Sequence, residues 1–204
     1  MTELRSEQAA RPDAFNILVV CTGNICRSPA AELMLQQSLG DSVAAFSAGT
    51  GALAGQPVEP QMDVLLGRDR PDLDTSSFTA RQLQPAMLKE CGLLLAMTAD
   101  HRSAAVQAFP AAVRRAFTLR EFTRILTLPE VLEQVDPMLS PGENLRNLVP
   151  RLGAKRSIVR VPADDDDVPD PYRRGDESFA ESYAMIRDCV DQITRALGAT
   201  TANT

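Results

Sequence analysis

Residues 17–20 form an unbroken aliphatic and β-branched run, Ile-Leu-Val-Val, the pattern of a short strand buried on both faces. After a tight loop, Ala31, Met34, Leu35 and Leu39 recur at helical spacing and stop at Gly40. Ser28 suits the N-cap of that helix, Pro29 its first turn, and Gly40 the positive-φ position that closes it. The alternation then repeats. Residues 43–47 predict a second strand, followed by the turn Ala48-Gly49-Thr50-Gly51, and residues 60–66 and 80–89 predict helices. Residues 93–97 predict a third strand, 100–109 a helix ended by Pro110, 116–119 a fourth strand and 120–125 a further helix. The chain closes with a long helix whose apolar face is Phe179, Tyr183, Ile186, Val190, Ile193 and Leu197, ended by Gly198. Strands alternating with helices predict an α/β domain, a parallel sheet with helices on both faces.

Three stretches break the pattern. Residues 1–14 are polar and read as a disordered tail ahead of a single domain at 15–198. Residues 128–162 carry Pro129, Pro137, Pro141 and Pro150 and one amphipathic stretch near 144–152, too little apolar material for a separate core; they read as an insertion. Asp164 to Asp167 form an acidic run, which as a block of like charge reads as a solvated loop.

Composition narrows the function classes. The 204 residues are 44% hydrophobic and 24% charged, ordinary globular usage, with only 4% aromatic residues and no Trp, so the core is aliphatic. A net charge of −6 argues against a sequence-independent grip on nucleic acid. No apolar run reaches membrane-spanning length, and the polar start lacks the apolar segment of a secretory signal. Four cysteines are too few for a disulfide scaffold in a chain of this length and suit a reducing cytoplasm.

The chemistry concentrates in Cys21-Thr22-Gly23-Asn24-Ile25-Cys26-Arg27-Ser28-Pro29. A loop between the carboxyl end of a strand and a helix N-terminus gathers backbone N–H groups around one point and adds the positive end of the helix dipole, a cradle for an anion. Gly23 and Asn24 tolerate the left-handed backbone such a loop needs. The planar fork of Arg27 takes two phosphate oxygens. Cys21 sits beneath the same donors, where the positive surroundings favour thiolate over thiol. A thiolate held against a phosphate-shaped nest is a nucleophile for phosphoryl groups, and Ser28 can donate its hydroxyl to the sulfur. A metal pair from Cys21 and Cys26 lacks further ligands, since His101 is the only histidine; His101 itself reads as a packing or helix-start residue, and Cys91 and Cys189 as core thiols.

The nine-residue loop resembles the active-site loop of the low-molecular-weight protein tyrosine phosphatases. Ser47-Ala48-Gly49-Thr50 is similar to the family's turn whose serine braces the loop asparagine. Ala80-Arg81-Gln82-Leu83 and Met97-Thr98-Ala99-Asp100-His101-Arg102 are similar to the bacterial branch. Asp170-Pro171-Tyr172 resembles the general-acid loop. The resemblance implies a three-layer, flavodoxin-like sheet of four parallel strands and metal-independent hydrolysis of phosphotyrosine through a phosphocysteine intermediate, without a cofactor. It assigns Cys21 as nucleophile, and Arg27 with the backbone of Thr22, Gly23, Asn24, Ile25 and Cys26 as the phosphate site. Asp170 becomes the general acid, Ser28 and Ser47 loop supports, and Tyr172 a wall of the cleft. Cys26 is either a structural thiol or, as in relatives, the partner of Cys21 in a reversible disulfide. Of the acidic residues near the C-terminus only Asp170 has the Pro-Tyr context.

The resemblance has gaps. Gly51-Ala52-Leu53-Ala54 lacks the aromatic that tyrosine-specific relatives often place opposite the Tyr172 wall, and Arg173 replaces a second Tyr, which favours acidic residues flanking the substrate. Relatives acting on phosphoarginine carry Thr where this loop has Ile25. Two other functions share the loop: a thioredoxin-coupled arsenate reductase, which needs resolving cysteines in a mobile segment, and a catalytically silent phosphopeptide-binding module, which has no use for Cys21 or Asp170. The implied partner is a phosphotyrosine-bearing protein, for example a bacterial tyrosine kinase or its targets, with neither nucleic acid nor membrane involved.

Overall fold

A computed structural model describes residues 13–198; the tail predicted at 1–14 falls outside the described residues as far as residue 12. The four predicted strands are β1 (Phe15–Cys21), β2 (Val43–Gly49), β3 (Leu93–Ala96) and β4 (Ala116–Thr118). They form one parallel sheet in the order β2-β1-β3-β4. β1 is central and buried, and its side chains divide by the two-residue period. Ile17, Val19 and Cys21 enter the larger core, while Leu18 and Val20 enter a smaller one with Leu88, Leu94 and Ala105.

The larger core is covered by α1 (Arg27–Leu39), α2 (Pro60–Asp69), α5 (Leu119–Leu126), α7 (Pro141–Leu152) and α8 (Asp176–Ala196). The smaller is covered by α3 (Pro85–Glu90) and α4 (Ala99–Ala108), and α6 (Pro129–Leu132) leads into α7. α8 buries Phe179, Tyr183, Ile186, Val190 and Ile193, the stripe its periodicity predicts. α4, α5 and α7 start on side-chain caps from Thr98, Thr118 and Ser140, the last a capping box with Glu143. No helix among the described residues is long and apolar enough to cross a membrane.

Two sequence expectations fail for local reasons. The helix predicted at 80–89 is only α3, because Gln84 precedes Pro85 and is pushed to extended backbone, while Gln82 bridges to Gly49 at the end of β2. Ser28 is not the N-cap of α1. Cys26 holds that position without a side-chain hydrogen bond, and the Ser28 hydroxyl turns into the loop instead.

Within 128–162, α7 places Leu145, Leu148, Val149 and Leu152 in the larger core. Gly142 lets its first turn press on the chain before β2, where an added Cβ would lie 2.0 Å from the Ser42 carbonyl oxygen. Strands β2 and β3 leave β1 in opposite lateral directions, so a crevice opens at the carboxyl ends of β1 and β3, where ligands bind in sheets of this kind.

Candidate active site

The loop after β1 fills that crevice, and its shape follows from where its carbonyls are tied. Thr50 N–H donates to Cys21 O at 2.9 Å, Gly51 N–H to Thr22 O at 3.0 Å, Leu53 N–H to Gly23 O at 2.9 Å and Glu59 N–H to Ile25 O at 2.8 Å. Across a planar trans peptide, C=O and the following N–H point in opposite directions. Pulling these carbonyls outward therefore turns the amides of Thr22, Gly23, Asn24 and Cys26 inward. Asn24 N–H indeed donates to Cys21 Sγ at 3.3 Å, with Asn24 at φ 55°, the left-handed backbone expected of it.

Gly49 is required by the closeness of this tie: a Cβ there would stand 2.3 Å from the Thr22 carbonyl oxygen. Gly49→Ala must push the loop off β2. We expect about 1–3 kcal/mol of lost stability together with weakened phosphate binding, checked by denaturant melts and phosphate titration. A variant with parental stability and phosphate affinity would contradict this packing.

Below the loop, Cys21 Sγ lies 2.8 Å from Ser28 Oγ, which accepts from Asn24 Nδ2 at 2.9 Å; Asn24 Nδ2 also donates to Ser47 Oγ at 2.7 Å. The two serines predicted as supports thus meet on one asparagine. Two further residues were missed in the sequence. Ser47 Oγ donates to Glu32 Oε2 at 2.5 Å, and Arg81 pairs with Glu32 Oε1 at 3.1 Å while its own N–H donates to Asn24 Oδ1 at 2.8 Å. Glu32 shares a helix stripe with Ser28, Leu35 and Leu39, and a carboxylate on an otherwise buried stripe was the signal available.

Burial raises the pKa of Glu32 to about 7, against the pull of Arg81 and Ser47. The folded state therefore holds a proton there that the unfolded chain gives up near 4.5. The stabilising contribution is full below that value and is lost as pH rises towards about 7. Burial, and then Arg27, push His101 down to about 4, so its contribution runs the other way, growing between about 4 and 6.5. The difference in melting temperature between Glu32→Gln and the parent isolates the carboxyl. It should move in favour of the variant from pH 4.5 to 7 and stay level above. A difference independent of pH would contradict the assignment.

His101 stands at the start of α4, as expected of a helix-start residue, and also reaches the loop: its Nε2 lies 2.8 Å from Thr22 Oγ1 and its Nδ1 2.8 Å from Thr98 Oγ1. Cys26 is a free, buried thiol, pushed up to about 12 by burial and by Glu59. Cys91 and Cys189 are buried, matching the expectation of core thiols.

Arg27 is buried and held from the other wall of the crevice. Its Nη1 donates to Val168 O at 3.1 Å, and its Nη2 pairs with Asp170 Oδ2 at 2.8 Å. Val168 is fixed in turn by donating to Met97 O at the end of β3, at 2.8 Å. The acidic run, expected as a solvated loop, instead anchors the same segment through its last two residues: Asp166 pairs with Arg124 on α5, and Asp167 Oδ1 accepts from Ala99 N–H at the start of α4 at 2.8 Å. Asp170 is half-exposed, Tyr172 N–H donates to its Oδ1 at 3.2 Å, and the Tyr172 ring lies open beneath the Arg173 guanidinium at 5.0 Å. Leu53 is exposed and tied to Gly23, so the turn after β2 presents aliphatic surface. One end of the sheet thus combines a sulfur, inward amides, a buried guanidinium and a half-exposed carboxyl.

Residues 16–152 match the family described as low molecular weight phosphotyrosine protein phosphatase. The chain is 31% identical over 185 residues to the Ralstonia nicotianae protein named "Probable low molecular weight protein-tyrosine-phosphatase EpsP", covering 89% of this chain and 97% of that one. It is 27% identical over 184 residues to Wzb of Escherichia coli K12, named low molecular weight protein-tyrosine-phosphatase, covering 90% and 96%. Among solved structures, the low molecular weight protein tyrosine phosphatase from T. tengcongensis superposes with a TM-score of 0.64 at 25% identity, covering 89% of this chain and 99% of that one.

Proposed function

We propose, from the premise that the chain belongs to the low molecular weight phosphotyrosine protein phosphatase family, that it is a hydrolase removing phosphate from phosphotyrosine in proteins, with Cys21 as nucleophile. The observation that carries this reading is the sulfur of Cys21 at the floor of an amide-lined loop, with Arg27 and Asp170 paired across its mouth.

In the proposed reaction a phosphate ester enters the loop and takes Arg27 from Asp170. Cys21 Sγ forms a bond to phosphorus as the bond to the phenolic oxygen breaks. Arg27 and the inward amides hold the equatorial oxygens, and Asp170, which takes up a proton from solvent once Arg27 has left it, gives that proton to the leaving oxygen. Water then attacks phosphorus, Asp170 takes a proton from it, and the S–P bond breaks to release inorganic phosphate and the thiolate. Ser28 Oγ, 2.8 Å from the sulfur, stabilises that thiolate as leaving group.

Arsenate reduction finds less support. The Cys91 thiol is buried, points to the Leu88 carbonyl at 3.4 Å and belongs to the smaller core, whereas Cys21 lies in the larger one. The natural partner is a protein carrying an exposed phosphotyrosine, and a bacterial tyrosine kinase or its targets fit that chemistry. Arg173 beside Tyr172 supports a preference for acidic flanking residues. Four free cysteines support a reducing, cytoplasmic setting.

The test compares turnover of phosphotyrosine, phosphoserine and phosphoarginine peptides, with thioredoxin-coupled arsenate reduction alongside. Phosphotyrosine should be hydrolysed fastest. Preference for another substrate, or arsenate reduction as the main activity, would overturn the reading.

A further inference from the structure

A cavity of about 780 Å³ lies between α4, α5 and the chain that follows α7, and none of its lining belongs to the loop at 21–28 or to residues 168–172. Four guanidiniums converge on it from three parts of the fold: Arg102 on α4, Arg124 on α5, and Arg156 and Arg160 beyond α7. Among the described residues, two carboxylates line it. Buried Glu121 holds Arg102 at 3.0 Å and Arg156 at 3.2 Å, and Asp166 holds Arg124.

Among the described residues the lining therefore keeps two positive charges in excess, in a protein whose net charge is −6. A network serving stability alone needs no such surplus, since unbalanced like charges repel. Arg156 is held over the Phe117 ring, 4.3 Å from its centroid, with further bonds to the Val113 and Ala116 carbonyls, so its position is set before any ligand arrives. Arg160 is exposed and makes no ion pair with a carboxylate among the described residues. Val106 and Val159 supply apolar wall beside the charges.

We propose that this cavity binds an organic oligophosphate, a compact head of two or more phosphates on an apolar or planar body, of the size of a nucleoside diphosphate. The volume falls within the usual range for small-molecule sites, about 300–1,000 Å³. Phosphate suits the donors better than carboxylate does. One planar carboxylate satisfies one arginine fork, whereas the oxygens of linked tetrahedral groups can serve several guanidiniums arriving from different directions. The valine wall accommodates the body that carries the phosphates.

The test keeps the two sites apart. Full-length protein is first saturated with benzylphosphonate, an unhydrolysable occupant for the loop at Cys21, and ADP is then titrated in by calorimetry, with adenosine in a parallel run. ADP is expected to bind the saturated protein while adenosine does not. Arg160→Gln, a surface change remote from the proposed catalytic groups, should weaken ADP about tenfold, the loss of one charge-assisted contact, without altering turnover of an aryl phosphate, and Arg124→Gln should weaken ADP by a similar factor. Absence of ADP binding to the saturated protein, displacement of ADP by benzylphosphonate, adenosine binding as tightly as ADP, or unchanged ADP affinity in both variants would overturn the proposal.

Discussion

Cys21→Ser is expected to lower turnover of an aryl phosphate by on the order of 10⁵-fold or more, the scale reached when a catalytic nucleophile is removed, while inorganic phosphate still binds. The two halves of this expectation have separate physical origins. Affinity for the anion comes from main-chain amides that are turned inward because the carbonyls of Cys21, Thr22, Gly23 and Ile25 are tied outward, and from Arg27; a change of one side-chain atom leaves these in place. Bond formation to phosphorus needs an ionised nucleophile, which a serine hydroxyl supplies far less readily than a cysteine thiol. Kinetics on 4-nitrophenyl phosphate and a phosphate titration of the same variant provide both readings. Turnover near the parental rate would remove Cys21 from its role.

Asp170→Ala is expected to slow hydrolysis by about 10²–10⁴-fold where the leaving group is poor, as with phenyl phosphate, and far less where it is good, as with 4-nitrophenyl phosphate. A good leaving group departs without a proton, and a poor one does not. The Arg27–Asp170 pair supplies an internal control. If phosphate and Asp170 compete for the same guanidinium, the variant binds phosphate at least as tightly as the parent, whereas a collapsed loop binds it more weakly. An unchanged dependence of rate on leaving-group acidity would place the acid elsewhere.

Periodicity and punctuation made most of the architecture legible. β1 follows from four consecutive aliphatic residues, and α8 from a stripe that repeats through Leu197. α1 was read from its apolar positions, yet Arg27, Ser28 and Glu32 are buried there as well, because the helix carries both core and loop support. That double duty is why Ser28, a natural cap by composition, serves the loop instead.

The helix expected from residue 80 was misread because propensity ignores what the neighbouring strand requires: Gly49 N–H bonds Arg81 O, and Leu83 N–H bonds Gly49 O. Those extended residues brace the loop through Arg81. Glu32 is marked in the sequence only as a carboxylate on a buried stripe, and the Val168 carbonyl is not marked at all, because their importance arises from partners 15 and 141 residues away, a relation that only the folded chain creates.

The account stands on phosphorus passing through the sulfur of Cys21. The most direct test is to mix Asp170→Ala, in which both bond-breaking steps lose their proton carrier, with an excess of 4-nitrophenyl phosphate, stop the reaction with denaturant within the first turnover, and map the modified peptide by mass spectrometry. The account predicts one phosphate, carried on the peptide containing Cys21 and absent from Cys21→Ser treated in the same way. Release of 4-nitrophenol with no phosphate on the protein, or phosphate on another residue, would contradict it.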